Sequence, residues 1–245
     1  MSNNDFIIKN GVLTEYTGKC DHITIPDTVT KIKKQVFHNH NIKSVIISKS
    51  VTEIGECAFQ GCHQLEKIYF LGADIKIGSH AFAVCNSLSH ITLPDGLTVI
   101  SEGLFANCKN LTSVKLPENI KSIGNHAFMG CAKLESINVP EHAMLGEAAF
   151  QDCDGLSDKD GFVIIDNILF HYNGRKHDVI IPDHVSKIDW NAFFHYIKLS
   201  ITTYSKELPL SMDSFRWNVK LAIYAPLESR AEQFARENNI PFNAI

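Results

Sequence analysis

The chain has 245 residues, of which 44% are apolar, and 23 basic against 27 acidic residues leave a net charge of −4. This composition is typical of a folded protein, and an acidic balance without clustered Lys and Arg argues against a nucleic acid or an anionic membrane as partner. No apolar run approaches the roughly 18 residues of a membrane span.

The chain begins MSNNDFIIKN, which lacks the basic start and the long apolar core of a signal peptide. Two interpretations stay open: the protein stays inside the cell, or an export signal was removed and a methionine added. The seven cysteines are odd in number and include no CxxC pair or zinc-binding spacing. They therefore favour a reducing compartment, such as the cytoplasm, over a disulfide framework.

Residues 6–25 predict a β-hairpin that leads into a strand, because Asn10-Gly11 is a turn signal between two β-rich runs. The same stretch recurs at residues 162–181 with a constant offset of 156, which pairs Phe6 with Phe162. The chain therefore carries a long repeat, and a hairpin precedes a run of coils twice.

A segment of the type AFxxCxxL recurs every 22 or 23 residues, with Phe, Cys and Leu three apart. The only longer spacing, 43 residues from Phe150 to Phe193, holds one period and the second hairpin. Five copies carry the Cys, and His40, Tyr196 and Asn218 take its place in the others. Such a period predicts a leucine-rich solenoid. Eight coils are counted, with Phe at positions 37, 59, 82, 105, 128, 150, 193 and 215.

One coil, residues 111–134, shows how the repeat builds a core. In LTSVKL, Val114 and Leu116 point inward and the residues between them point outward. A second buried row follows at Ile120 and Ile123, and Gly124 permits the next corner. Coils stacked at about 4.8 Å would pair strand with strand and satisfy backbone donors between neighbours.

The C-terminal stretch changes period. Leu227, Ala231, Phe234 and Ala235 fall on one face of a predicted helix, which ends before Ile240-Pro241. We expect this helix to cap the open end of the solenoid, followed by a short strand.

The segments that begin at Phe82, Phe105 and Phe128 match the pattern AFxxCxxLxxIxLP at almost every position. This pattern resembles the repeat of the BspA-like (bacterial surface antigen type) leucine-rich-repeat family, and the resemblance covers about residues 23–226. It implies an α/β fold that is a right-handed solenoid of about eight coils with a concave parallel β-sheet, an inserted hairpin and a capping helix. It also implies a binding role, often in cell-surface attachment or host-protein binding, and it carries no catalytic residue.

We predict one domain for residues 1–245. Its parts are an N-terminal hairpin cap, six coils, an inserted hairpin, two further coils and a C-terminal cap, at residues 1–22, 23–157, 158–178, 179–226 and 227–245.

Three constellations invite a chemical interpretation, and each has a structural alternative that we favour. The five repeat cysteines form a column that suits small buried residues better than a metal or redox ladder. His38-Asn39-His40 matches a nuclease motif only in part, and His40 falls on a structural position of the coil. The acidic loop Asp152–Asp160 lacks the spacing of a calcium-binding EF-hand. We predict no metal and no cofactor, and leave open whether the loop binds calcium.

The outward positions of successive strands predict the binding surface. They form mixed, mostly polar rows without an acid–base pair or a nucleophile, which suits a broad protein interface. The predicted binding residues are Ile46, Lys67, Tyr69, His90, Thr92 and Lys115.

The sequence thus predicts a non-enzymatic, monomeric module that binds a protein partner of unknown identity. The family resemblance implies adhesion or host interaction at the cell surface or after secretion. An intracellular structural scaffold is the alternative, and an enzyme with an unrecognised site is the remote one.

Overall fold

The computed structural model describes residues 5–141, 143–194, 196–216 and 220–245. The chain forms two compact units, Met1–Leu156 (unit 1) and Ser157–Ile245 (unit 2). Each unit is a β-solenoid in which short strands of successive coils pair in parallel. That residues 1–245 make one domain with the boundaries given above stays a prediction.

Unit 1 begins with an antiparallel hairpin of strands β1 (Phe6–Lys9) and β2 (Val12–Tyr16). Its turn lies at Asn10-Gly11, as predicted, with φ of 50° and 75°. Asn and Gly tolerate this left-handed region better than other residues do. Strand β2 then pairs in parallel with a strand of the first coil, so the hairpin continues the sheet of the solenoid.

Six coils follow in unit 1, which we number 1 to 6, and each contributes one strand to each of two sides. The first-side strands are β3 (His22–Thr24), β5 (Ser44–Ile47), β7 (Lys67–Phe70), β9 (His90–Thr92), β11 (Ser113–Lys115) and β13 (Ser136–Ile137). The second-side strands are β4 (Lys31–Ile32), β6 (Glu53–Ile54), β8 (Lys76–Ile77), β10 (Val99–Ile100), β12 (Ser122–Ile123) and β14 (Met144–Leu145).

Both sides lose their strand pairing at the same place. Among the described residues, β7 does not pair with β9 and β8 does not pair with β10, although the other neighbouring strands of each side do pair. Both gaps lie between coils 3 and 4. The third edge of the coils, where the repeat Phe residues lie, stays hydrogen-bonded from coil to coil across this gap, for example from Phe82 N–H to Leu104 O. We call this edge the Phe corner.

The core of unit 1 is a column of fully buried Phe rings, one from each coil. Rings of adjacent coils stack with their centroids 4.7–5.9 Å apart, and the widest spacing separates Phe82 from Phe105. Beside this column, each repeat Cys is buried and its thiol donates to the carbonyl of the repeat Phe in the preceding coil over 3.0–3.4 Å. The thiols are thus small buried groups with weak donors, as the sequence predicts.

Unit 2 repeats the start of unit 1. Its hairpin pairs Phe162 with Tyr172 as β1 and β2 pair Phe6 with Tyr16, and both hairpins have an irregular register at the same place. The ring centroids of each Phe–Tyr pair lie 4.9 Å apart. The predicted offset of 156 is therefore a structural repeat.

The sheets of unit 2 have the orders β15-β16-β18 and β17-β19-β20-β21. Asn218 lies outside the described residues. The strands are β15 (Phe162–Ile165), β16 (Ile168–Tyr172), β17 (Asp178–Ile180), β18 (Lys187–Ile188), β19 (Lys198–Thr202), β20 (Lys220–Ala225) and β21 (Phe242–Ala244).

The predicted C-terminal helix is α1 (Arg230–Glu237), and its buried residues are Ala231, Phe234 and Ala235. Leu227 was expected on the same buried face, but this prediction is wrong, because the side chain is 58% exposed. The reason is the helix start: Ser229 caps the helix by accepting from Glu232 N–H over 3.1 Å, so Leu227 lies in the preceding turn. Across the described residues, no helix has the length and apolar character needed to cross a membrane.

Candidate binding face

The predicted binding residues lie on adjacent first-side strands of unit 1. Lys67 and Tyr69 are on β7, His90 and Thr92 on β9, and all four are exposed. Lys115 on β11 is exposed and Ile46 on β5 is half-buried. The register places Ile46 beside Tyr69 and Thr92 beside Lys115. We call this surface the binding face.

The alternation of the strands explains why these side chains point outward. In each strand the next residue is buried: Val45, Ile68, Ile91 and Val114 are all at most 7% exposed. Because successive side chains of a strand point to opposite faces, their neighbours must face the solvent. The core therefore fixes which residues form the face.

The outward positions carry basic and hydroxyl groups but no carboxylate. Lys67 and Lys115 make no ion pair within the described residues. The two histidines are held by their neighbours: His22 Nδ1 lies 2.7 Å from Ser44 Oγ, and His90 Nδ1 lies 3.2 Å from Thr112 Oγ1. The outward residues of strands β3 to β13 are His22, Thr24, Ser44, Ile46, Lys67, Tyr69, His90, Thr92, Ser113, Lys115 and Ser136.

Within the described residues, the carboxylates near this face lie outside its strands. Asp21 precedes β3 and is paired with Lys43 over 2.7 Å, and this ion pair holds the pKa of the Asp21 carboxyl below its ordinary value. Glu66 and Glu135 precede β7 and β13. The outward strand positions of the face are thus locally basic on a chain that is acidic overall.

A cavity opens in the middle of the face, where β7 and β9 are unpaired. It has a volume of about 420 Å³ and is lined by residues that include Tyr69, Leu71, Thr92, Pro94 and Asp95. Tyr69 is 49% exposed and Leu71 63% exposed. Of these side chains, the accessible Tyr69 is of a residue type that protein-binding hot spots favour.

A second outward-facing row, which was not predicted from the sequence, lies on the sheet of unit 2. The register brings Ile180, Thr202 and Tyr224 side by side, and Ile180 is 58% exposed. The alternation of residues 178–182 and 198–204 contains this signal, but the predicted rows ended at β13.

The sites weighed as chemical alternatives have structural roles. Burial raises the pKa of the thiols of Cys62, Cys85, Cys131 and Cys153, that of Cys62 to about 12, so they are poor nucleophiles at neutral pH. The His40 ring packs 5.5 Å from that of Tyr16, and burial lowers its pKa.

The acidic loop is organised by its own backbone. Asp158 accepts from the N–H groups of Asp160 and Phe162, each over 2.9 Å, which forms a turn before the hairpin. Within the described part of the chain, no three His, Cys, Asp or Glu residues are grouped so that they could hold a metal ion.

Comparison with known proteins points to one family. The family described as BspA type leucine rich repeat region matches in six copies, over residues 7–109, 30–157 and 98–222. No protein among those of curated function matches the chain.

Several solved structures are similar to this chain, and two of them are the following. One is a leucine rich cell surface protein from Faecalibacterium prausnitzii, with 28% identity, a TM-score of 0.57, and coverage of 83% of this chain and 70% of that protein. The other is a leucine rich repeat protein of T. pallidum, with 26% identity, a TM-score of 0.54, and coverage of 64% of this chain and 91% of that one.

Proposed function

Because the chain belongs to the BspA-type leucine-rich-repeat family, we propose that it is a non-enzymatic module that binds a protein partner through the binding face. The observation that carries this proposal is the face itself: Tyr69 stands exposed among Lys67, Lys115 and hydroxyl side chains, without a carboxylate in the strands. Coils 1 to 3 and coils 4 to 6 are each joined by strand pairing on both sides, so docking on either group costs little conformational entropy.

The charge pattern indicates the chemistry of the partner. Unpaired lysines at the centre of an interface attract acidic side chains and repel basic ones, which sets specificity and association rate more than total affinity. The partner surface that fits best therefore presents Asp or Glu to Lys67 and Lys115, and an apolar side chain to Tyr69.

The cell surface is the location that we propose for this binding. The similar F. prausnitzii protein is described as a cell surface protein, and adhesion or host interaction follows from that setting. The free cysteines support the alternative of an intracellular scaffold, because all seven are unpaired thiols and five of these are buried.

The test compares two double variants in capture experiments. Tyr69→Ala with Lys115→Glu changes the binding face, whereas Met144→Ala with Lys121→Glu makes the same kinds of change at exposed positions on or next to the second side. Wild type and both variants are used as bait for separate surface and cytoplasmic protein fractions of the source cell and for purified extracellular matrix proteins.

We expect the binding-face variant to lose at least tenfold in affinity for a captured partner, and the control variant to bind like wild type. Equal loss in both variants, or unchanged capture by the binding-face variant, would remove the face as the site. A partner found only among cytoplasmic proteins would favour the scaffold.

A further inference from the structure

Strand pairing is lost between coils 3 and 4, although the sequence repeat keeps its regular spacing there. On the second side, two backbone hydrogen bonds join each paired coil to the coil before it. Coil 5, for example, is joined to coil 4 by the bonds from Lys121 N–H to Thr98 O and from Gly124 N–H to Ile100 O. Their counterparts from coil 4 to coil 3 would start at the amides of Thr98 and Ser101, and neither amide has an acceptor within the described residues. A cavity of about 580 Å³ lies there instead.

The Phe corner holds the same two coils together. His80, Phe82 and Val84 donate their N–H groups to carbonyls of coil 4 over 2.9, 3.1 and 2.8 Å. Coils 3 and 4 are therefore bonded along one edge and open along the other two. That arrangement is a joint whose axis runs along the Phe corner.

The sequence explains why the joint lies at this place. Every coil that pairs with a preceding coil on the second side has Gly directly after its second strand, at positions 55, 78, 124 and 146. A Cβ atom at any of these positions would lie 2.5–2.7 Å from a backbone nitrogen of the preceding coil, which is closer than real atoms approach. Coil 4 has Ser101 at this position, and its Cβ cannot occupy that space.

Two further observations agree with this cause. The Ser101 hydroxyl donates to the carbonyl of Ile77, so the side chain bridges the gap that the backbone bond would close in other coils. In unit 2 the corresponding position holds Ser211. Within the described residues, β18 pairs only with β16, and no second-side strand ends directly before Ser211. Thus, where one coil follows another, Gly accompanies pairing in unit 1 and Ser accompanies its loss in both units. Lys33 and Asp189 hold the same position after strands whose preceding neighbour is a hairpin strand and not a coil.

We propose that Ser101 is the positioning residue of a flexible joint between coils 3 and 4, and that this joint sets the spacing of Tyr69 and Thr92 on the binding face. The Cβ of Ser101 holds the coils apart on the open sides while the Phe corner stays bonded. The statement about the binding face rests on the proposed function, whereas the joint itself does not.

Hydrogen exchange of backbone amides, followed by NMR, tests the joint without a ligand. In wild type, the amides of residues 98 and 101 should exchange at least tenfold faster than those of residues 121 and 124. Ser101→Gly should slow both amides at least tenfold, because the coils can then pair. Gly124→Ser is the matched variant in the opposite direction and should speed exchange at residues 121 and 124.

Ser101→Ala separates the two roles of the side chain. It keeps Cβ and removes the hydroxyl, so exchange at residues 98 and 101 should stay as fast as in wild type. Slowing by Ser101→Ala equal to that by Ser101→Gly, or no slowing by Ser101→Gly, would overturn the proposal. Exchange at residues 52 and 55, in coil 2, shows in each variant that the fold is intact.

A cysteine pair tests the consequence for the binding face. With a mild oxidant, Tyr69→Cys and Thr92→Cys should form a disulfide at least tenfold faster on the Ser101→Gly background, because the strands then come together. The control pair, Thr92→Cys with Lys115→Cys, lies on strands that are already paired and should react equally on both backgrounds. Slowed amide exchange without faster cross-linking would confine the joint to the second side and overturn its link to the binding face.

Discussion

Raising the pH from 7.5 to 9.5 should strongly destabilise unit 1, because its buried thiols cannot ionise. Burial raises the pKa of Cys62, Cys85, Cys131 and Cys153, whereas a thiol in an unfolded chain ionises near about 8.5. The unfolded state therefore loses these protons first. The stability that comes from the neutral thiols is fully present below the unfolded pKa and falls as the pH rises above it.

The magnitude follows from linkage. Between pH 7.5 and 9.5, each thiol that ionises only in the unfolded state costs about 1.4 kcal/mol, so four cost roughly 5 kcal/mol. This is a large part of the roughly 5–15 kcal/mol that typically stabilises a domain. The window ends below the pKa of Tyr and Lys side chains, so the loss is attributable to thiols.

The chain supplies its own control, because all seven cysteines lie in unit 1 and both tryptophans lie in unit 2. In urea titrations at the two pH values, pulsed thiol labelling follows unit 1 and tryptophan fluorescence follows unit 2. The labelling midpoint should fall with pH and the fluorescence midpoint should not. Cys131→Ser should reduce the pH-dependent loss by about a quarter. A labelling midpoint that is the same at both pH values would refute the reasoning.

Two further predictions concern single side chains. Phe105→Ala should lower the free energy of unfolding by about 3–5 kcal/mol in urea melts, because the ring is fully buried between Phe82 and Phe128, and a loss below about 1 kcal/mol would contradict this packing. Ser229→Ala should cost about 1 kcal/mol through the lost cap of α1, and Ser229→Asp, which restores an acceptor, should recover most of it; equal stability of the two variants would argue against capping.

The sequence predicts the coil well, because a coil depends on local periodicity. The spacing of Phe, Cys and Leu identifies the buried column, and alternation identifies the outward residues around Tyr69 and Lys115. The hairpins are equally visible, since Asn10-Gly11 fits only a turn that tolerates left-handed backbone. These features need only one coil, or two, to be recognised.

The gap between coils 3 and 4 is not visible in the same way. Phe59, Phe82 and Phe105 keep a constant spacing of 23, so the repeat continues across the joint. Its cause is a single Cβ at Ser101, which matters only once the distance to the neighbouring backbone is known. A side chain that is ordinary in most contexts is excluded here by the close approach of two coils.

The starter hairpin occurs in both units, whereas the capping helix α1 lies in unit 2. Unit 2 opens with the same starter element as unit 1 and closes with α1, so residues 157–245 carry both termini of a small solenoid. The terminal repeats of such arrays are usually atypical, because they shield the core from water. Here the element that starts unit 1 occurs again in the interior of the chain, at the start of unit 2. We expect such a module to fold when it is grafted behind another repeat array. Its hairpin supplies the strand with which its first coil pairs, so the last coil of the recipient array is not needed for this pairing.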